Sequence, residues 1–458
     1  MSNERSSATR RLLVISFHFP PDGTIGGQRW AGLSKYLARA GWEVHVVTAS
    51  PPNGDTLPAG VHRHFRARRR TLNEVYRARF AERGLGHHAN SVTVPGESGS
   101  QRRNGLLRLL ALLRKVAGSA AGLPDHGRGW ISRATRAARM LMRNNEFDCV
   151  ISSGPPHSAH FAGLAATWDR KTNFWIDMRD PWSLTFEMNS PTDGFIRGER
   201  YVLERLERLI LPRASRVLVN TAEFACVLRA SQPDLDVTHF PNGIDMELLP
   251  RRDMSAVAKG TIAYVGTLYA GRNLSSMFAA MRLILNDRPE AAAGLRLNVA
   301  GPQESPHRER MHAEIDAAGL TSFVSVLGVL PRGGALDLLS RAHLALVLAQ
   351  DQPMCVPAKL YESVGLGVPT LVIAEKDSAA AREARRIGAM TVEGHDVGGI
   401  KSLLDDMLAG RLPTTISPKT AISYEELAIE MDRLLREGTP ERLSRRPVAR
   451  NPLPHLAR

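Results

Sequence analysis

The apolar positions of this chain fall into short continuous runs, each followed by a loop and a stretch of helical spacing. Leu12-Leu-Val-Ile-Ser-Phe17 is the first such run; it leads through HFPPDGTIGGQRW into a helical pattern over Ala31–Ala40. Gly41 ends that helix and EVHVVTA opens the next strand. A strand, a glycine-bearing loop, a helix and a strand make a βαβ unit. Further strands are predicted at FDCVISSG (147–154), NFWIDMRD (173–180) and SRVLVNTA (215–222). A second series starts at GTIAYVGTL (260–268) and continues with LRLNVAG (295–301), FVSVLG (323–328), LALVLAQ (344–350) and PTLVIAE (369–375). Two consecutive series, each with its own strands, predict an α/β fold of two Rossmann-like, doubly wound domains.

The turn-forming run PNGID at 241–245 sets the join. The expected division is an N-terminal domain over 1–241 and a second domain over 242–412. Beyond Pro413, SYEELAIEMDRLLREG has helical periodicity with acids early and Arg late, which predicts a C-terminal helix within 413–438. The proline- and arginine-rich residues 439–458 are expected to be disordered. A basic insert of about 66–130 interrupts the first domain. It holds RARRR, a polar glycine-rich span and the leucine-rich stretch 105-GLLRLLALLRKVAG-118. On a helical wheel Leu106, Leu109, Leu110, Leu113 and Val116 share one face, opposite Arg108 and Lys115, with Arg114 intruding on the apolar side. Such a segment can lie in a membrane interface or pack its leucines on the first domain.

Composition narrows the class. At 458 residues, 43% hydrophobic and 23% charged, the chain is a soluble globular protein too long for one core. Cys149, Cys226 and Cys355 are scattered and odd in number, which favours free thiols in a reducing compartment. No run approaches the roughly 20 apolar residues of a membrane span, and the N-terminus lacks the signal-peptide layout. The expected location is the cytoplasm, with the inner face of the membrane as an option. The formal charge of +14 is concentrated. Val61–Lys115 has 13 Lys+Arg against 3 Asp+Glu, and the tail from Thr439 has five Arg against one Glu. Those two segments carry the whole excess, so the domain cores are near neutral. Concentrated basic charge points to an anionic partner: acidic lipid, phosphorylated substrate or nucleic acid. Nucleic acid is disfavoured because no aromatic platform interleaves the basic residues.

Doubly wound sheets bind ligands beyond the carboxyl ends of their strands, so site candidates should follow strands. Gly26 and Gly27, with Arg29, follow the first strand, where backbone N–H groups can approach an anion; a tight turn would use the same pair. His157 and His160 follow the strand at 147–154. The segment DMRDPW sets Asp177, Arg179, Asp180 and Trp182 after the next; an internal Arg–Asp pair would use the same residues. In the second series Gly266, Thr267 and Arg272 follow one strand and Gly301 ends another. The helix opening near Pro357 follows a third and brings Lys359, Leu360 and Glu362. Lys359 lies in a first turn, where the helix dipole disfavours a cation unless an anion is near. Glu362 can supply that anion as an i,i+3 partner; a bound diphosphate can supply it equally. An arginine, a lysine and a helix N-terminus suit a diphosphate, while a deeper carboxylate suits paired sugar hydroxyls.

In order, PPDGTIGGQR, SSGPPHSAH, DMRDPW, PNGID, VGTLYAGR, VAGPQ and VPAKLYESVGLGVPTLV resemble the landmarks of the retaining GT-B glycosyltransferases of family 4. The likeness is to the bacterial branch with an Asp-x-Arg-Asp-x-Trp segment and covers roughly residues 11–436. It implies two Rossmann-like domains facing across a cleft, with a nucleotide-sugar donor on the second and a hydroxyl acceptor on the first. That acceptor would be a glycan, a small molecule or a lipid-linked species at an anionic membrane surface. By resemblance Glu362 holds the ribose. Arg272 stands near the family's lysine on the diphosphate, and Thr267 near its arginine. Gly266, Gly301, Lys359 and Leu360 complete the donor side, and Gly26, Gly27, Arg29 and Arg179 form the acceptor or phosphate loop. His160, Arg272 and Asp180 are the candidate catalytic residues. His160 is preferred over His157 because it lies deeper in the AHFAGLA run. No metal or other cofactor is implied. One departure stands out: Met354 occupies a position where the family often has a glutamate. Two alternatives follow from it and from the fold: a related epimerase or phosphorolytic enzyme, and a catalytically silent sugar-nucleotide-binding partner subunit.

Overall fold

Parallel strands whose residues are apolar on both faces need helices on both sides, and both halves of the chain are built that way. The structure, a computed structural model, describes residues 9–21, 25–49, 60–67, 123–183, 194–268, 271–302 and 307–438. The first sheet comprises β1 (Arg10–Ser16), β2 (Trp42–Ala49), β3 (Val61–Ala67), β4 (Cys149–Gly154), β5 (Asn173–Met178), β6 (Arg216–Val219) and β7 (Val237–His239). Their order is β3-β2-β1-β4-β5-β6-β7, parallel throughout. Leu13 and Ile15 of β1 face one buried cluster, with Trp130, Ala134 and Ala159. Leu12 and Val14 face the other, with Trp30, Leu33 and Leu37 of the helix Gln28–Arg39.

The second sheet comprises β8 (Ala258–Val265), β9 (Arg296–Ala300), β10 (Val324–Gly328), β11 (Ala342–Leu348), β12 (Thr370–Ile373) and β13 (Met390–Val392), in the order β10-β9-β8-β11-β12-β13, again all parallel. In each sheet the winding reverses beside its first strand, between β1 and β4 and between β8 and β11. Ligand crevices open at such switch points, so the loops after these four strands frame the site.

The C-terminal helix is not a separate appendage. It spans Tyr424–Glu437, opened by a reciprocal Ser423–Glu426 capping box. Its buried Leu427, Met431, Leu434 and Leu435 join the core of the first domain, beside Leu12, Val14 and Trp30. The chain therefore crosses between the domains twice, and the crossings pair: Ile244 N–H donates to Ile422 O and Tyr424 N–H to Ile244 O, each at 2.9 Å. Trp42 Nε1 donates to Asp432 Oδ1 at 2.8 Å, and Asn173 Nδ2 to Gly438 O at 3.0 Å. Gly32 makes the close packing possible, since a Cβ there would meet the Tyr424 ring at 2.1 Å.

Three strands were not predicted. β7 and β13 have three residues each, too short for a period to show, and β3 (VHRHFRA) is masked by basic residues. β3 runs up to the start of the expected insert, overlapping it only at its last two residues, and residues 123–130 turn into the helix Ile131–Asn144. The leucine-rich stretch 105–118 and the tail 439–458 lie outside the described residues. Among the described residues no helix is long and apolar enough to cross a membrane.

Met431 is fully buried at the seam between the C-terminal helix and the first sheet. Met431→Ala should cost about 2–5 kcal/mol, the range for a large-to-small core change. The loss should appear in the urea unfolding of the first domain, followed through its tryptophans.

Candidate active site

The carboxyl ends of the two sheets enclose a cleft of about 1500 Å³, lined from both domains. On the second-domain wall the helix Ala358–Gly365 begins at the cleft edge. Pro357 is its N-cap, and no side chain caps its first N–H groups. Leu366 N–H closes on Glu362 O, and Gly367, with φ +73°, ends the helix. Glu362 is only 2% exposed. Its Oε2 accepts from Lys359 Nζ at 2.6 Å, and its Oε1 accepts from Arg332 Nη1 at 2.8 Å. Lys359 thus has the i,i+3 partner expected of it, yet it also lines the cleft, as do Glu362 and Arg332. Each carboxylate oxygen can accept more than one hydrogen bond, so Glu362 keeps acceptor capacity toward the cleft.

Arg332 was not singled out from sequence. It opens the helix Arg332–Ser340 shortly after β10, so the rule that site residues follow strands would have found it. Leu360 needs a correction. Its side chain is fully buried in the cluster with Ile244, Val347 and Val364, so it packs the helix down rather than touching a ligand. Gly266, Thr267 and Gly301 all line the cleft. Gly301 has φ +134°, and a Cβ there would lie 2.0 Å from Gly266 O; only glycine lets the ends of β8 and β9 meet this closely. Arg272 Nη2 donates to Gln352 Oε1 at 2.5 Å across the switch point.

The first-domain wall is organised by two arginines. Arg179 Nε donates to Gly154 O at 3.3 Å, and its terminal nitrogens donate to Gly26 O and Pro155 O. Burial lowers its pKa. Gly26 therefore contributes a carbonyl to this network. Gly27 abuts the backbone of Phe19, where a Cβ would come within 2.9 Å of Phe19 Cα. Arg29 is buried and its guanidinium ties down the domain junction. Nη1 donates to Pro241 O and Asn242 Oδ1, and Nη2 to Phe240 O and Asp177 Oδ1. Asp177 also accepts from Trp30 Nε1 and Ser153 Oγ, both at 2.8 Å. A phosphate role for Arg29 would compete with four existing contacts.

His160 is the clearest correction. It is fully buried and pairs through Nδ1 with Ser152 Oγ at 2.9 Å, beneath the cleft surface. Burial first, and then Arg179, push its pKa down to about 3 against the partial offset of Asp177. His157 lines the cleft in its place, stacked on Trp182 with ring centroids 4.8 Å apart. Burial lowers its pKa too, helped by His160 and Arg179. The deeper position that favoured His160 in the sequence is the property that removes it from the surface. Asp180 lines the cleft beside His157, and burial raises its pKa while Arg179 and Arg272 pull it back. Met354 is absent from the cleft lining. It packs against the core of the first domain, and its carbonyl accepts from Thr221 Oγ1 at 2.8 Å.

Residues 26–243 match the family model of the glycosyl transferase 4-like domain. No curated protein matches the chain. In fold it is similar to sucrose-phosphate synthase (tll1590) from Thermosynechococcus elongatus, at 14% identity and TM-score 0.63, over 93% of this chain and 98% of that one. It is similar to Anabaena Alr3699/HepE, solved with UDP, at 12% identity and TM-score 0.56, over 93% and 100%. It is also similar to a Listeria monocytogenes protein assigned as a UDP-N-acetylglucosamine 2-epimerase, at 14% identity and TM-score 0.53, over 94% and 96%. The chain has the GT-B fold, and residues 26–243 are similar to the glycosyl transferase 4-like domain.

Buried neutral His160 makes stability depend on pH. Its native pKa lies near 3 and its unfolded value near 6.5. Between these values the unfolded state binds a proton that the native state does not, so stability falls as pH falls. The slope from this one group is at most about 1.4 kcal/mol per pH unit. Denaturant unfolding of His160→Asn between pH 6 and pH 4 should show a slope shallower by up to that amount. Parallel slopes in the two proteins would rule out this assignment.

Proposed function

We propose that this protein is a glycosyltransferase that moves a sugar from a nucleotide-sugar donor to a hydroxyl acceptor, with retention of anomeric configuration. The observation that carries the proposal is the second-domain wall. A buried carboxylate, Glu362, is fixed between Lys359 and Arg332 at an uncapped helix start, with Arg272 on the neighbouring loop, all lining one cleft. Cations and free N–H groups suit the donor diphosphate, and Glu362 suits the ribose hydroxyls. The glycosyl transferase 4-like match over residues 26–243 supports the same assignment.

In this scheme the donor lies on the second domain and the acceptor enters from the first, past His157 and Asp180. Bringing the two reactants together in a closed cleft supplies proximity and excludes water. As the anomeric C–O bond breaks, negative charge grows on the leaving diphosphate, where Arg272 and Lys359 stabilise it. Asp180, in the field of Arg179 and Arg272 and raised in pKa by burial, would orient the acceptor hydroxyl. No metal or further cofactor enters the scheme. An epimerase shares the fold; product analysis with and without an acceptor separates epimerisation from transfer.

Two tests follow. A panel of nucleotide sugars should contain one that raises the unfolding temperature, equivalent to about 2.7 kcal/mol at 100 times its Kd. With that donor, Arg272→Ala should lower kcat by about 10²-fold or more while changing donor Kd far less, because the charge it meets develops in the transition state. Unchanged kcat at saturating donor would remove Arg272 from the mechanism.

The +10 excess over Val61–Lys115 further suggests that the acceptor is lipid-linked and met at an anionic membrane. Basic residues near such a surface contribute on the order of 1 kcal/mol each and are screened by salt. The full chain should co-sediment with acidic vesicles at low salt and release as salt rises. Protein that stays in the supernatant at low salt would point to a soluble acceptor.

A further inference from the structure

At the amino-terminal end of the first sheet, away from the cleft, three potential metal ligands meet on one face. Glu43 and His45 are two apart on β2, so both side chains project to the same side. His62 stands on the adjacent edge strand β3. One ligand atom from each of the three lies within 4.8 Å of the others. His45 Nε2 and Glu43 Oε2 are 3.9 Å apart, and the two imidazole rings are 5.1 Å apart, centroid to centroid. We propose that Glu43, His45 and His62 form a binding site for one divalent transition ion of the zinc class, clipping the edge strand to its neighbour.

The donor set selects the ion. Two imidazoles and one carboxylate suit Zn²⁺, Co²⁺, Ni²⁺ or Cu²⁺ far better than Ca²⁺ or Mg²⁺, which take oxygen ligands. A tetrahedral ion with bonds of about 2.1 Å sets its ligand atoms roughly 3.4 Å apart, so the cluster needs only a modest contraction. The side chains are suited to it. His45 is 1% exposed and held edge-on against Phe147, which makes it the fixed point. His62 is exposed and can rotate onto the ion, and Glu43 is half-buried between them. Arg11 Nε donates to Glu43 Oε2 at 2.6 Å and holds this carboxylate below its ordinary pKa. A carboxylate has two oxygens with several acceptor positions, so it can serve Arg11 and the ion together. Three protein ligands leave one position for water. The site lies at the opposite end of the strands from Asp180 and Arg179, so it takes no part in the proposed transfer. An ion joining β2 to β3 would secure an edge strand, the position in a sheet with fewest partners.

The test uses the untagged full chain and Co²⁺, whose visible spectrum reports imidazole and carboxylate in its inner sphere. The expected result is one Co²⁺ per chain, displaced by Zn²⁺, with Zn²⁺ alone raising the unfolding temperature. His62→Ala, at an exposed position that leaves the core intact, should weaken binding by more than about 10-fold, since even an outer-shell partner is worth that much. Glu43→Gln should do the same. His395→Ala, which alters an exposed histidine elsewhere, should leave affinity and spectrum unchanged. Equal affinity in wild type and His62→Ala would mean an adventitious ion only and would overturn the site, as would absence of an inner-sphere spectrum. Donor binding and sugar transfer are read separately, so failure of the metal site leaves the proposed transfer standing.

Discussion

The buried contact between Arg29 and Asp177 is the constraint on which the cleft depends. The two groups meet at 3.1 Å with almost no exposure. The same guanidinium holds three successive linker residues, Phe240, Pro241 and Asn242, and its Cζ lies 5.1 Å from the Phe240 ring centre. A buried ion pair brings little net stability after desolvation, but removing one partner strands a charge at a cost of about 3–5 kcal/mol. What it contributes here is position. Asp177 belongs to β5 and Arg29 to the first helix, so the linker is fixed to the carboxyl edge of the first sheet. A second set follows along the linker, where Lys35 and Tyr36 converge on buried Asp245. The paired crossing at Ile244 and Tyr424 completes the junction.

With the junction fixed, the electrostatics of the cleft follow from which charges are already satisfied. Arg29 is divided between the Asp177 carboxylate and the linker, and Arg179 is directed at backbone carbonyls, so their charge is committed to holding loops in shape. Lys359 and Arg332 share one buried carboxylate and retain a net positive charge between them at the cleft wall. An anion entering there meets cations that are already positioned and so need little reorganisation, the condition under which such groups stabilise developing charge best.

Much of the fold was legible because parallel strands buried on both faces give continuous apolar runs. The strands that escaped notice were the three-residue β7 and β13 and the basic β3. The place of the last helix was not legible: its period showed that it was amphipathic, but not which of two domains would cover its apolar face. At the site, the post-strand rule reached Arg272, Lys359 and Glu362, and the same rule, applied to β10, leads to Arg332. It could not separate His157 from His160, because both follow β4 and only burial distinguishes them. Nor could it show that Leu360 packs inward, since a leucine beside a site and one beneath it look alike in sequence. The Glu43–His45–His62 cluster was missed for a related reason: a register between adjacent strands brings it together, and no sequence spacing reports that.

The loop between β11 and the helix Ala358–Gly365 links these observations. It leaves the second sheet at its switch point, but its middle belongs physically to the first domain. There Met354 packs against the first domain's core, its carbonyl accepts from Thr221, and Cys355 Sγ lies 4.0 Å from Asp180 Oδ1. Thr221 in turn caps the helix Ala222–Ser231 of the first domain. Met354 is partly buried there, and a glutamate at this position would bring its charge against that apolar contact at some desolvation cost, whereas methionine fills it without one. The helix that presents Lys359 and Glu362 therefore starts from a segment anchored on the opposite wall. Any motion that separates the domains must pull at Met354 or bend the three residues between it and Ala358. The helix Ala358–Gly365 and the first-domain wall are thus mechanically joined across the cleft.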